Sequence, residues 1–528
     1  MSSIALHVAL LSGEQKAFSL TPHSTVGELR EVVQKEWQKP IGKLISASGA
    51  RLLESATLTQ AGIRENEVIT AIIQDVSVAA TRDAFAAIRA NGTVVTWGCP
   101  DSGGDCSAVK NQLQNVQRIQ ATCGAFAAIL ENGSVVSWGH ADLGGDSSDV
   151  QSELQGVCQI QAAHAAFAAI KVDGSVVTWG APNYGGDCSA VRDQLASVQH
   201  IQSSLAAFAA LRADGRVVTW GSGYLGGDSS DVRDELRDVL QVAPIFPFGF
   251  AAIKAGGRIV CWGGMLYRGV HQTGLDSIAH FQANSARWAA ATEQGRLALS
   301  LRSHGQGCLQ VPDGAASIVS CTFDTVAILQ KDGTVQFWGC SVPEQLRKKL
   351  TSVVRLRCGP GDYAMCAAIR SDGSVVAWQY SARGALSVNG RKCEQLQNVT
   401  DVQVTRGAFA ALRTDGTVVT WGSADSGGDS ASVQGQLKNV VRIQAGHAAF
   451  AAIRSDGSVV SWGDPVYGGD SSRVRDQLGQ AWVETEAAKP RPRVSKPKAK
   501  PGVLKKPSKR QTKKPLPDSE GCPCAYIG

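Results

Sequence analysis

The chain repeats itself, and that limits what it can fold into more than any other feature. AFAAIRANGTVVTWG at 84–98 returns as AFAAILENGSVVSWG at 125–139, and the pattern continues for most of the chain. The marker tryptophans are Trp97, Trp138, Trp179, Trp220, Trp262, Trp338, Trp378, Trp421 and Trp462, and clean copies lie 41 residues apart. A gap of 76 residues between Trp262 and Trp338 holds one further unit, where Gln294-Gly295 replaces Asp-Gly or Asn-Gly and no tryptophan follows. The count is ten units.

Each unit predicts three short strands, such as Val116 to Ala121, Phe126 to Leu130 and Ser134 to Trp138. The Asn-Gly or Asp-Gly between the second and third is a hairpin signal, because that turn needs positive φ. A loop with Gly-Gly-Asp follows, its first residue being Gly103, Gly144, Gly185, Gly226, Gly427 or Gly468. Asp146 precedes Ser147-Ser148-Asp149, with Val150 and Leu154 four apart, so it reads as the cap of one short helical turn. A three-stranded unit cannot bury both faces alone and must stack on its neighbours, which yields a propeller or another solenoid.

VVRIQAGHAAFAAIRSDGSVVSWGDPVYGG at 440–469 resembles the repeat of the regulator of chromosome condensation family, whose members form seven-bladed propellers. The resemblance covers about residues 76–480. These units are shorter than the family's and number ten, so a larger ring, a split array and an open spiral all fit.

The first residues follow a different pattern. Ile4, Leu6, Val8 and Leu10 alternate with Ala5, His7 and Ala9, the period of a strand with one buried face. Ser12-Gly13-Glu14 reads as a turn, and Thr25 with Glu28 forms a capping box opening a helix that aligns Val26, Leu29, Val33 and Trp37. Short strands are predicted at Lys43 to Ser46 and Glu67 to Ile73. This order resembles the ubiquitin-like β-grasp family over residues 4–74. The resemblance implies that Leu44, Ile45 and Ile72 lie near ubiquitin's apolar recognition surface, with Thr70 in place of a histidine; ordinary strand residues are the alternative. Ile73-Gln74-Asp75 runs on into the next segment, so no conjugation is expected. The fold class expected is mainly β, a propeller-like array of about ten three-stranded repeats at 76–480 preceded by a small α+β β-grasp domain at 1–75.

Residues 481–528 differ in composition. Twelve Lys and Arg lie between Lys489 and Lys514, and eight of the eighteen prolines between Pro490 and Pro523. Residues 1–488 are left with 40 bases against 44 acids, so the formal charge of +6 belongs to this tail. Its composition predicts disorder, and Lys505, Lys506, Lys509, Arg510, Lys513 and Lys514 suit a phosphate backbone or a nuclear import signal. A solvated tail without a partner is the alternative. Cys522-Pro523-Cys524 misses prenylation spacing.

Several motifs point to chemistry and are better read as structure. Asp101-Ser102-Gly103-Gly104 and Asp425-Ser426-Gly427-Gly428 spell DSGG, as around the nucleophile of chymotrypsin-like proteases, but sister loops lack the serine. Gly221-Ser222-Gly223-Tyr224-Leu225-Gly226 satisfies GxGxxG without the βαβ unit that dinucleotide binding requires. One carboxylate per Gly-Gly-Asp loop falls short of the roughly six to eight oxygens of a calcium site. The nine histidines are dispersed, and the fourteen cysteines are scattered without a CxxC pair. Neither a metal nor a cofactor is expected, and a reducing compartment is the simpler reading. The N-terminus lacks a signal-peptide core, and no run of roughly 18 apolar residues occurs, so a soluble cytoplasmic or nuclear protein is expected, with no membrane partner.

Residues 244–400 depart most from the repeat and carry Tyr267, Arg268, His271, Trp288 and His304, a mixture found at protein-binding surfaces. Repeat decay accounts for them equally well. Three functions follow. The first is a non-catalytic scaffold that binds proteins, including ubiquitin-pathway factors. The second is a relative of HERC-type ubiquitin ligases lacking a HECT domain. The third is guanine-nucleotide exchange on a small GTPase with chromatin attachment through the tail, which fold alone does not transfer.

Overall fold

The computed structural model describes residues 3–264, 268–284, 287–300, 308–311, 315–320, 325–338, 342–359, 365–380, 386–388 and 396–479. The N-terminal domain is a four-stranded sheet over one helix. Its strands are β1 (Ile4–Leu10), β2 (Gln15–Leu20), β3 (Ile41–Ile45) and β4 (Val68–Ile73), and helix α1 spans Val26–Trp37. The sheet order is β2-β1-β4-β3, with β1 parallel to β4 and the other pairs antiparallel, which is the β-grasp arrangement. Thr25 caps α1 in both directions of the capping box, its hydroxyl accepting from Glu28 N–H at 3.1 Å while the Glu28 carboxylate accepts from Thr25 N–H at 3.0 Å. The helix buries Val26, Leu29, Val33 and Trp37 against the sheet, where Trp37 meets Phe18 edge to face.

Among the described residues ten further sheets follow, each antiparallel and each built from consecutive strands. The second unit has an inner strand at Val116–Ala121, a middle strand at Ala125–Leu130 and an outer strand at Val135–Gly139. Most units then return along the outer edge through short 3-10 turns, whereas the fifth, sixth and eighth add a fourth strand, at Gly269–Gln272, Cys308–Val311 and Leu386–Val388. The inner strand of every unit neighbours the inner strand of the next. The last, Val440–Ala445, neighbours the first, Ser77–Ala80. The array is therefore a closed ring of ten blades, a β-propeller.

Adjacent blades are joined by a recurring contact. In the second unit the rings of Phe126 and Trp138 stack at 5.2 Å between centroids. Gly103 of the preceding Gly-Gly-Asp loop packs under Phe126 so closely that a Cβ would lie 2.6 Å from the ring, and its φ is +90°. The Gly103 carbonyl accepts from Trp138 Nε1 at 3.1 Å. A side chain at this glycine would be both strained and overlapping, so the loop needs glycine there. The same arrangement links Gly144 to Trp179, Gly185 to Trp220, Gly226 to Trp262 and Gly427 to Trp462. It also links the last unit to the first, where Gly468 packs on Phe85 and accepts from Trp97 Nε1 at 3.0 Å. Stacked aromatic pairs of this kind add about 0.5–1.5 kcal/mol each beyond burial.

The sixth unit replaces both aromatic positions. Trp288 occupies the place of Phe126, and Ser300 stands across from it in the place of Trp138. Trp288 is wholly buried and its backbone N–H donates to Ser300 Oγ at 2.8 Å. The cysteines also depart from expectation, for Cys358 and Cys366 face each other across neighbouring strands and form a disulfide. Cys261 is fully buried, and burial pushes its thiol pKa up.

Candidate interaction surfaces

Strand direction gives the ring two unlike sides. Inner strands start on the side of the Asn-Gly and Asp-Gly turns, and outer strands finish on the side of the Gly-Gly-Asp loops. On the turn side, each aspartate fixes its own hairpin. Asp173 Oδ1 accepts from Ser175 N–H and hydroxyl at 2.9 and 2.6 Å, and Asp332, Asp372 and Asp415 repeat this with Thr334, Ser374 and Thr417. Those hydrogen bonds hold the four carboxyl pKa values below the ordinary aspartate value. On the loop side, Asp146 accepts from Ser148 N–H at 2.9 Å at the head of a 3-10 turn, and Asp187 and Asp228 do the same. The two DSGG serines serve the fold as well: Ser102 Oγ donates to Asp83, and Ser426 is buried with its carbonyl accepting from Thr405. Among the described residues no group of three His, Cys, Asp or Glu is placed to hold a metal ion. No helix among them is long and apolar enough to cross a membrane.

The β-grasp domain is seated on the turn side, across the place where the ring closes. Gln34 Nε2 donates to the Asp456 carbonyl of the tenth unit at 2.8 Å, and Pro40 packs against Gly457. Glu54, which pairs with buried Arg30 at 2.8 Å, accepts from Asn91 of the first unit. Burial, together with the Arg30 charge, pushes the Arg89 pKa down. Lys43 and Arg51 both reach Glu131 of the second unit, at 3.1 and 3.7 Å, and Arg51 donates to Asn115 at 2.9 Å.

This seating bears on the patch implied by resemblance. Leu44 does not belong to any surface: it stands opposite Ala71 and points into the domain core, where it is 2% exposed. The period of the strand turns Ile45 and Lys43 outward instead, opposite Thr70 and Ile72. Ile45 and Ile72 are half-buried, with Val68 exposed on the neighbouring strand position. Lys43, the cross-strand partner of Ile72, is held by the ring through Glu131, so this face borders the array.

The divergent units do not gather the expected binding cluster. Arg268 is exposed and pairs with Asp231 at 2.9 Å. His271 and Trp288 are core residues, with ring centroids 5.7 Å apart at the junction of the fifth and sixth units. The cause is that Trp288 fills the buried slot that a phenylalanine fills in the regular units. Tyr267 lies outside the described residues, as do Lys505, Lys506, Lys509, Arg510, Lys513 and Lys514 of the tail.

A surface that the sequence reading passed over lies at the ring axis. Inner strands carry a recurring β-bulge, between Val116 and Arg118, Val157 and Gln159, Val198 and His200, Val239 and Gln241, Val353 and Arg355, Val399 and Asp401, and Val440 and Arg442. The inserted residues are Gln117, Cys158, Gln199, Leu240, Val354, Thr400 and Val441, and every one is exposed. A bulge re-aims side chains that a regular strand would alternate between two packed faces. The signal was present in the sequence as two variable positions after a repeated valine.

No family model matches the chain, and no curated protein matches it. Solved structures do. Yeast RCC1 (Prp20) in its complex with Kap60 is 16% identical over 54% of this chain and 74% of that one, with a TM-score of 0.30. The computationally designed Ika8 protein is 13% identical over 66% and 96%, with a TM-score of 0.31. The ubiquitin of Caldiarchaeum subterraneum is 19% identical over 14% and 95%, with a TM-score of 0.13.

Proposed function

We propose that the chain is a non-catalytic scaffold that binds proteins through its ring and links them to the ubiquitin pathway through its β-grasp domain. The observation that carries this reading is the contrast between frame and rim. The positions that join blades recur as Phe, Trp and Gly at six of the ten junctions, while the exposed bulge positions differ from unit to unit. A uniform frame presenting varied side chains on one rim suits recognition of partner surfaces, and repeat proteins use their extended surfaces in this way. The DSGG and Gly-Gly-Asp motifs are engaged in turn and blade contacts, which supports the non-catalytic reading.

The ubiquitin link is carried by the outward sheet face of the β-grasp domain, where Ile45, Ile72 and exposed Val68 stand together. Co-purification from native lysate tests it. The full chain retains ubiquitin-pathway proteins, and Val68→Glu with Ile72→Glu loses them while thermal stability is kept. Retention of the same partners by that variant would remove the ubiquitin link, and a full chain that retains no protein would remove the scaffold.

A further inference from the structure

We propose that the turn-side rim of the ring axis is a docking site for an acidic, extended segment of a partner protein. The proposal rests on the scaffold reading and adds the partner's chemistry to it. Inner strands neighbour one another around the whole ring, so they enclose the axis, and the bulges lie at the turn-side start of these strands. Their charge is uneven. Arg118 of the second unit and Arg442 of the tenth are exposed and make no ion pair among the described residues. They flank the first unit, whose inner strand Ser77–Ala80 carries no charge. In the eighth unit Arg355 and Arg357 share Asp401 of the ninth, at 3.2 and 3.5 Å. Along the inner strands from the eighth unit round to the second, four guanidinium groups therefore meet one carboxylate. Residues 1–488 as a whole carry more acids than bases, so this arc is positive against the trend of its own chain.

Beside these arginines stand exposed apolar residues, Val354 next to Arg355 and Val441 next to Arg442, at 59% and 58%. A peptide with carboxylates spaced by apolar side chains satisfies both features. Guanidinium groups take carboxylates through paired hydrogen bonds, and the apolar residues cover the chain between them. Nucleic acid fits less well, since it presents a phosphate at every residue and single strands are held by aromatic stacking. None of the described bulge-inserted residues is aromatic.

Fluorescence anisotropy on the full chain tests the proposal, using a fluorescein-labelled peptide of repeating Glu-Val-Glu-Ser, its Gln-for-Glu counterpart and a labelled oligothymidylate. The basic tail is a competing source of binding, so the variants are Arg118→Glu with Arg442→Glu, and separately Lys505→Gln, Lys506→Gln, Lys509→Gln and Arg510→Gln. If the charge-reversed rim loses thermal stability, Arg118→Gln with Arg442→Gln takes its place. The acidic peptide binds, its Gln counterpart does not, the rim variant weakens Kd by about tenfold or more, and the tail variant changes it by under about twofold. Several results overturn the proposal: a full chain that does not bind the acidic peptide, an unchanged Kd in the rim variant, loss only in the tail variant, or rim-dependent binding of the oligothymidylate alone. Partners still co-purifying with the rim variant in any of those cases leave the scaffold reading standing while the rim falls.

Discussion

The indole nitrogen of Trp97 donates to the carbonyl oxygen of Gly468 at 3.0 Å, across 371 residues of chain. The contact is the same one that joins five other pairs of consecutive blades, made here between the last unit and the first. An array left open would expose both partners at its two ends.

Closure therefore makes Trp97 as costly to alter as an interior tryptophan. Trp97→Phe removes the donor and leaves the buried Gly468 carbonyl unpaired, a loss of about 1–3 kcal/mol. Trp179→Phe, which frees Gly144 inside the array, serves as the reference. Denaturant unfolding gives equal losses for a closed ring, and Trp97→Phe is near neutral for an open one. Gly468→Ala adds overlap with Phe85 at a φ of +84° and costs more than removing the hydrogen bond alone.

Trp288 behaves as core. Trp288→Ala empties a buried slot between the fifth and sixth units and lowers stability by about 3–5 kcal/mol in chemical denaturation. A change under about 0.5 kcal/mol, the range of exposed positions, would place it at the surface.

What could be read from the sequence follows from how far each signal reaches along the chain. The hairpins, the Thr25–Glu28 cap and the count of ten units depend on neighbours within a unit, and all are found as expected. Asp146 does fix a short turn, through Ser148. The sequence leaves closure open because Gly468 and Trp97 resemble interior pairs such as Gly103 and Trp138, and only geometry decides whether they meet. Leu44 and Trp288 were misplaced for different reasons. A shift of one residue along β3 separates Leu44 in the core from Ile45 outside, and a tryptophan in the phenylalanine place hides a core residue as an irregular one. The rim is not legible in the sequence because an inserted residue interrupts the period of two that marks a strand.

Acid should loosen the turn side. The carboxyls of Asp173 and Asp372, held first by their serine hydroxyls, have folded pKa values below their unfolded ones. They bind fewer protons when folded, so their stabilisation is complete above the unfolded value and is lost as pH falls through the folded value. Asp332 and Asp415 add the same dependence. Converting all four to Asn lowers stability at neutral pH and flattens its fall below about pH 4. An unchanged acid limb in melts taken across that range would exclude these turns as its source.

The β-grasp domain is held partly by charge, so its seating weakens with salt. Glu131→Lys sets a positive charge against Lys43 and Arg51. Exposed pairs contribute about 0.2–1 kcal/mol each, and the variant releases the domain without unfolding the ring. Hydrogen exchange at β3 and at the turn around Asn91 rises in Glu131→Lys, and Lys43→Glu added to it restores part of the protection. Unchanged exchange in the single variant would mean that Gln34, Pro40 and Glu54 suffice to seat the domain.

Cryo-electron microscopy of the full chain, with class averages viewed down the ring axis, tests the closed ring most directly. Ten radial blades without a gap, with the β-grasp density above the junction of the tenth and first, are the predicted result. A break between those two blades, or a different number of them, would contradict it.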